Sequence, residues 1–381
     1  MSGTDITRLL EAIQKKIDAV DSSASSGDLL RLLSAIRQSG EGSLLSYDNT
    51  YQIPNLLDAT PDLGMITYTL DSDKLYFQKG SWVGKELPIP PSQAQGSNFG
   101  YSSGGVNAPG PTGPTNFIDK FPFTSDDNAT DVGDLTVARW GGAGQSSSTH
   151  GYASGGLTSN VIDKFPFSAD ANATDVGDLT VARYGAAGQS SITHGYSAGG
   201  ETPLESDVID KFTFSADANA TDVGDLTVAR GDLAGQSSTT HGYTTGGDPV
   251  PTGGNVIDKF PFSTDANATD VGDLTVARRS VAGQSSATHG YASGGNTPPV
   301  LPNVIDKFPF STDANATDVG DLTVGRRAAA GQSSTTHGYS SGGNTPPVSN
   351  VIDKFPFSTD ANATDVGDLT VGRYVASGQQ Y

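Results

Sequence analysis

Histidine is the side chain best suited to metal binding or proton transfer near neutral pH, and here it recurs in one slot. His150, His194, His241, His289 and His337 are each followed by Gly-Tyr. A ring of histidines from successive repeats would offer a zinc site or a general base. The sixth copy of the slot is Phe99, and a position that phenylalanine can fill reads as strand packing rather than chemistry. Cysteine is absent, which removes thiolate nucleophiles, zinc–thiolate sites and disulfides together. No Gly-x-Ser-x-Gly elbow, phosphate loop or His-Glu-x-x-His pair occurs. Paired carboxylates for glycoside hydrolysis are compatible with the abundance of Asp. A catalytic pair should break the repeat pattern, however, and the acids that do so are Glu201, Glu205 and Asp207 in one loop. The chain therefore reads as non-enzymatic, with no cofactor and no metal.

Of the 381 residues, 42 are acidic and 22 basic, for a formal charge of −20. Nucleic acid is not an expected partner, because phosphate binding needs a basic stripe. No apolar run approaches the length of a membrane span, and the start lacks the apolar core of an export signal. Glycine (48) and proline (21) are in excess, which implies many turns and short strands.

The elements that must position these residues come from an internal repeat. Ile-Asp-Lys-Phe begins at Ile118, Ile162, Ile209, Ile257, Ile305 and Ile352, with spacings of 44, 47, 48, 48 and 47 residues. A period of 40 to 50 holding four strand-length segments is the signature of propeller blades. In the unit around His289, the spacing predicts a small-residue inner strand at Val281–Ser286 and a second strand at His289–Gly295. It predicts a third strand over Asn303–Phe310 and an outer one over Thr317–Val324. Val304, Asp306, Phe308 and Phe310 alternate there with Ile305 and Lys307. Pro309 suits an outer position better than a central one.

The aromatic-x-x-Gly-Gly strand, the apolar strand that follows it and the Arg closing each unit resemble kelch repeats, over residues 97–381. The Trp usual in the fourth kelch strand is replaced by Val-Gly-Asp-Leu. The near-identical units are also similar to Asn-Val-Ile-Asp-Lys-Phe arrays in structural proteins of marine tailed phages, especially cyanophages. Asp313-Ala-Asn-Ala-Thr-Asp-Val-Gly-Asp321-Leu partly resembles the calcium loop of integrin-type propellers, but Thr317 and Asp318 stand where a carboxylate and a glycine are needed. An Asx-type turn is the preferred reading. Asn-Ala-Thr is a glycosylation sequon, discounted in the absence of an export signal.

The array opens at Ser97 on a second strand and ends at Tyr381 after an inner strand, so the two ends complete one blade. This predicts a mainly β fold: a six-bladed kelch-like propeller closed by the C-terminal strand. A trimeric β-prism is the alternative. Ahead of it, residues 1–40 read as helices, with Ile6, Leu9, Leu10, Ile13, Ile17 and Val20 on one stripe and a second stretch over Asp28–Gln38. They serve as an anchor or oligomerisation segment, or fold back on residues 41–96. Residues 41–90 read as a small β connector, from Leu57–Tyr68, Lys74–Phe77 and Gly80–Trp82, similar to a short module of phage virion proteins; residues 91–96 are a linker.

The repeats vary in two places, the loop after Gly-Gly and the triplet after each closing Arg. In a four-stranded meander both lie at one end. Trp140, Tyr184, Arg279, Arg327 and Tyr374 head five of these triplets and are residue types favoured at binding hot spots. They are expected to be exposed and to contact a ligand. With the phage resemblance, the expected function is a virion tail-fibre or receptor-binding component that adheres to a host-surface glycan or protein. It would join other virion proteins, as a homo-oligomer, through its N-terminal helices. A purely structural decoration of capsid or tail is the alternative.

Overall fold

The computed structural model describes residues 45–47, 50–52, 66–69, 74–77, 95–107, 113–157 and 159–380. The chain divides into two units, Met1–Pro90 and Pro91–Tyr381. In the first, Leu45–Tyr47, Thr50–Gln52, Ile66–Thr69 and Lys74–Phe77 form a four-stranded antiparallel meander. Residues 66–69 and 74–77 fall where a strand pattern was read; the first two strands are additional. The helical stripe from Ile6 to Val20, Asp28–Gln38, and the segment Gly80–Trp82 lie outside the described residues.

The second unit is a mainly β, propeller-like repeat of six four-stranded antiparallel sheets. In the fifth sheet the strands are Ala282–Ser285, His289–Ser293, Val304–Pro309 and Thr317–Asp321, paired in chain order. The outer strand stops three residues short of the expected Val324. Its continuation leaves the ladder because Thr323 donates its N–H, at 3.0 Å, and its hydroxyl, at 2.7 Å, to Asp353 of the next sheet. The simple alternation expected of the third strand also fails: a bulge between Ile305 and Asp306 shifts the register. Ile305, Asp306 and Phe308 are all buried, because a neighbouring sheet covers each face. Pro309 pairs opposite His289 where the outer strand has already departed, so its missing donor costs nothing. Among the described residues the one helix is the turn Val250–Gly253, in a loop of the fourth sheet.

The first sheet is assembled from both ends of the unit. Ser377–Gln380 is its inner strand and pairs with Phe99–Ser103, which is followed by Phe117–Pro122 and Thr130–Asp134. The inner strands of successive sheets touch through backbone. A Cβ on Gly188 would sit 2.1 Å from the carbonyl oxygen of Gly144, and one on Gly144 would sit 2.2 Å from that of Gly378. Only glycine permits that approach.

Core packing lies between the sheets. Tyr291 stacks on Phe357 of the next sheet with ring centroids 4.9 Å apart, beside buried Ile305, Leu322 and Phe355. Tyr339 stacks in the same way, at 4.6 Å, on Phe123 of the first sheet. Gln284 donates to Tyr339 O at 2.9 Å, and Gln332 to Tyr101 O at 2.9 Å. Each connector into a sheet carries a buried arginine. Arg278 Nη1 lies 2.9 Å from Asp306 Oδ2 with both side chains 0% exposed, and Thr275 donates to the same carboxylate. Arg373 and Asp119 join the last connector to the first sheet at 3.1 Å.

Removing one partner of such a pair strands a charge in a dry interior. Arg278→Leu should lower unfolding free energy by about 3–5 kcal/mol. Arg279→Leu, one residue on and ion-paired with Asp248 at about a third exposure, should cost under about 1 kcal/mol. Denaturant midpoints of the two variants test this; equal losses would contradict it.

Candidate functional site

A meander reverses direction at every strand, so the loop between second and third strands and the connector between outer and inner strands emerge at the same end. The structure pairs them directly. Backbone bridges join Tyr184 to Glu201, Gly231 to Asp248, Arg279 to Asn296 and Arg327 to Asn344, and Tyr374 pairs with Val106. In the second sheet Leu157 N donates to Trp140 O at 3.0 Å. The two variable segments of the repeat are therefore one surface.

Beneath the variable side chains runs a uniform backbone ring. Gly141, Gly185, Asp232, Ser280, Ala328 and Val375 all have φ between 53° and 70°. Val375 N donates to Ala328 O at 2.7 Å, Gly141 N to Val375 O at 2.9 Å and Gly185 N to Gly141 O at 2.7 Å. Leu233 N reaches Gly185 O at 3.2 Å, Ser280 N reaches Asp232 O at 2.8 Å, and Ala328 N reaches Ser280 O at 2.7 Å. Four of the six hold a left-handed conformation without being glycine, and for β-branched Val375 this is strained.

All five expected contact residues lie on this end, but Trp140, Tyr184, Arg279, Arg327 and Tyr374 are half-buried rather than freely exposed. The bridging loops hold them down. Trp140 and Tyr184 meet edge to face with centroids 5.0 Å apart. Tyr184 donates its hydroxyl to Glu201, which, with burial adding, pushes the phenol up to about 12. Burial also raises the Glu201 carboxyl, opposed by that hydrogen bond. Arg279 is ion-paired with Asp248. Asp232 accepts from Ser280 Oγ at 2.9 Å, and burial raises its pKa against the pull of Arg279 and Arg327. Among the described residues no hydrogen bond or ion pair engages the Arg327 guanidinium.

Asp232 and Asp248 were not singled out from sequence. Asp232 had a visible signal, because it is the one charged residue in a column otherwise filled by Gly141, Gly185, Ser280, Ala328 and Val375. Asp248 had none, since only the bridge to Gly231 brings that loop over the connector.

The histidines sit at the opposite end, one in each of five sheets, with Phe99 in that slot of the first. His289 Nδ1 is 2.8 Å from Thr288 Oγ1, and the described residues contain no cluster of metal-ligating side chains. The Asp-Ala-Asn-Ala-Thr-Asp segments are also occupied by structure. Asn315 Oδ1 accepts from Asp273 N of the preceding sheet at 3.1 Å, Asp318 closes an Asx turn onto Gly320 N at 3.2 Å, and Asp313 pairs with Lys259.

Burial lowers all five histidine pKa values below the ordinary 6.5; the neighbouring lysines lower them further and the next sheet's aspartates oppose. The unfolded chain then takes up protons first as pH drops. Stability present above 6.5 is lost as pH falls through the lower folded-state values. Unfolding midpoints taken from about pH 7 to about pH 5 should fall. Replacing the five histidines by Phe, as at Phe99, should flatten that part of the profile; an unchanged profile would show the rings to be freely solvated.

The chain matches no family model and no curated protein, so its functional reading rests on where these residues lie.

Proposed function

We propose that the protein is a non-enzymatic virion component of a tailed phage, a tail-fibre or receptor-binding protein that adheres to the host surface. In this reading residues 97–381 form a closed six-bladed kelch-like propeller. Completion of the first sheet by Ser377–Gln380, and the backbone ring from Gly141 round to Val375, support that closure.

The observation that carries the functional reading is polarity. Gly96 N donates to Ser333 O at 2.7 Å and Thr335 N donates to Gly96 O at 3.2 Å. Ser333 ends an inner strand, at its turn into the second strand. The chain thus joins the repeat at the end opposite the variable surface. The variable loops therefore lie at the end of the repeat away from the point of chain entry at Gly96, which is the arrangement an adhesin needs. Binding surfaces are commonly loops carried by a rigid scaffold, and here the scaffold is constant while Trp140, Tyr184, Arg279, Arg327 and Tyr374 differ from copy to copy.

Purified full-length protein, added to susceptible cells before infection, should compete with phage adsorption. Trp140→Ala combined with Tyr184→Ala should weaken that competition at least about tenfold, the scale of a hot-spot loss. His289→Phe at the opposite end should leave it unchanged. Competition that survives the double substitution would remove the variable surface from adhesion, and stoichiometry matching capsid symmetry without any competition would favour decoration.

A further inference from the structure

We infer that the arc running from Arg327 through Tyr374 and Trp140 to Tyr184 and Glu201 is a binding site for an anionic oligosaccharide. Sugar rings lie on the aromatic side chains, and a carboxylate or sulfate is held by Arg327. This rests on the adhesion reading and narrows it to one class of ligand.

The arc is continuous. Ala328, Val375, Gly141 and Gly185 are joined by successive backbone hydrogen bonds of 2.7, 2.9 and 2.7 Å, so the four residues that precede them are neighbours, one per connector. The rings of Trp140 and Tyr184 are in contact, and Glu201 closes the arc as the acceptor of the Tyr184 hydroxyl. The fold does not require aromatics here: the same slot in the repeat holds Gly231, Arg279 and Arg327. Three aromatic residues on consecutive connectors therefore have no packing role that the scaffold demands.

Charge selects the ligand. Every lysine of residues 97–381 is paired with an aspartate of the next sheet, and every arginine there except Arg327 is ion-paired with a carboxylate. In a chain of net charge −20, Arg327 is the guanidinium of the repeat that no ion pair engages; the buried Asp232 feels its charge without a salt bridge, so on the arc it is the group able to receive an anion. A pyranose presents a C–H-rich face to an aromatic ring, and its hydroxyl edge needs acceptors, which Glu201 supplies.

The chain has two tryptophans, so Trp82→Phe leaves Trp140 as the only indole reporter. Full-length protein carrying that change would be titrated with oligogalacturonate, sulfated carrageenan oligosaccharides and neutral cello-oligosaccharides while Trp140 fluorescence is followed. At least one anionic series should give a saturable change, with neutral oligomers at least about tenfold weaker, the scale of one charge-assisted hydrogen bond. Arg327→Gln should erase that preference, and Arg279→Gln, already paired with Asp248, should retain most of it. Equal response to neutral and anionic oligomers, silence with all three, or a preference that survives Arg327→Gln would overturn the inference. Cell binding measured in parallel separates the two levels. Loss after periodate oxidation of the cells is expected. Loss after protease but not periodate overturns the oligosaccharide and keeps adhesion, whereas no cell binding at all overturns adhesion itself.

Discussion

Each sheet of the repeat is fixed to the next by a guanidinium and a carboxylate withdrawn from water. Isolated, either group would carry a desolvation penalty of several kcal/mol. Asp306 avoids this by accepting from Thr275 N, Thr275 Oγ1 and Arg278 Nη1 at once, while Arg278 also donates to Ala292 O at 3.0 Å. Compensation is incomplete, since Nε of all six such arginines lacks a partner. A buried pair of this kind adds little net stability over well-packed apolar groups. What it supplies is position: the connector from Thr275 to Arg278 has one place where all of its donors are met.

That constraint explains where variation is tolerated. With Arg278 locked, the residues after it start from a fixed point, and their side chains are free to differ because their contacts, such as Arg279 with Asp248 and Tyr184 with Glu201, belong to single copies and not to the repeated frame. The backbone ring takes over one residue later. It keeps its left-handed geometry whether the residue is Gly141 or Val375, so the geometry is imposed by neighbouring strands rather than chosen by local preference. Adjacent positions in the chain thus divide the work, one holding the scaffold and the next presenting chemistry.

Much of the architecture was legible in the sequence because copies of one unit act as their own alignment. Period, strand positions and the pairing of the two chain ends could be read from Ile-Asp-Lys-Phe and Gly-Gly alone. The bulge at Ile305 could not, since apolar–polar alternation assumes one wet face and both faces of this strand are dry. The half-burial of Trp140 and Tyr184 was hidden for a related reason: it depends on loops 17 residues away in sequence folding over the connectors, and those loops share no motif. The strands Leu45–Tyr47 and Thr50–Gln52 were missed because three-residue strands carry too little periodicity to register.

Symmetry also bears on how a site arises here. Residues 1–96 hold 12 acids and 8 bases, and the repeat holds 30 and 14, so the charge is chiefly a property of the copied unit. Most of its acids are matched by lysine or arginine, or face solvent on the outer strands, where charge discourages edge-to-edge pairing. A scaffold of six copied sheets offers the same surface six times and by itself discriminates nothing. Specificity needs the copies to differ, and the differences lie where the ring holds backbone fixed. On one side of the ring stand three aromatic residues, and on the other Gly231 and two arginines, one ion-paired with Asp248 and one in no ion pair. The shape of the surface comes from repetition, and its capacity to choose a ligand comes from the positions where repetition is broken.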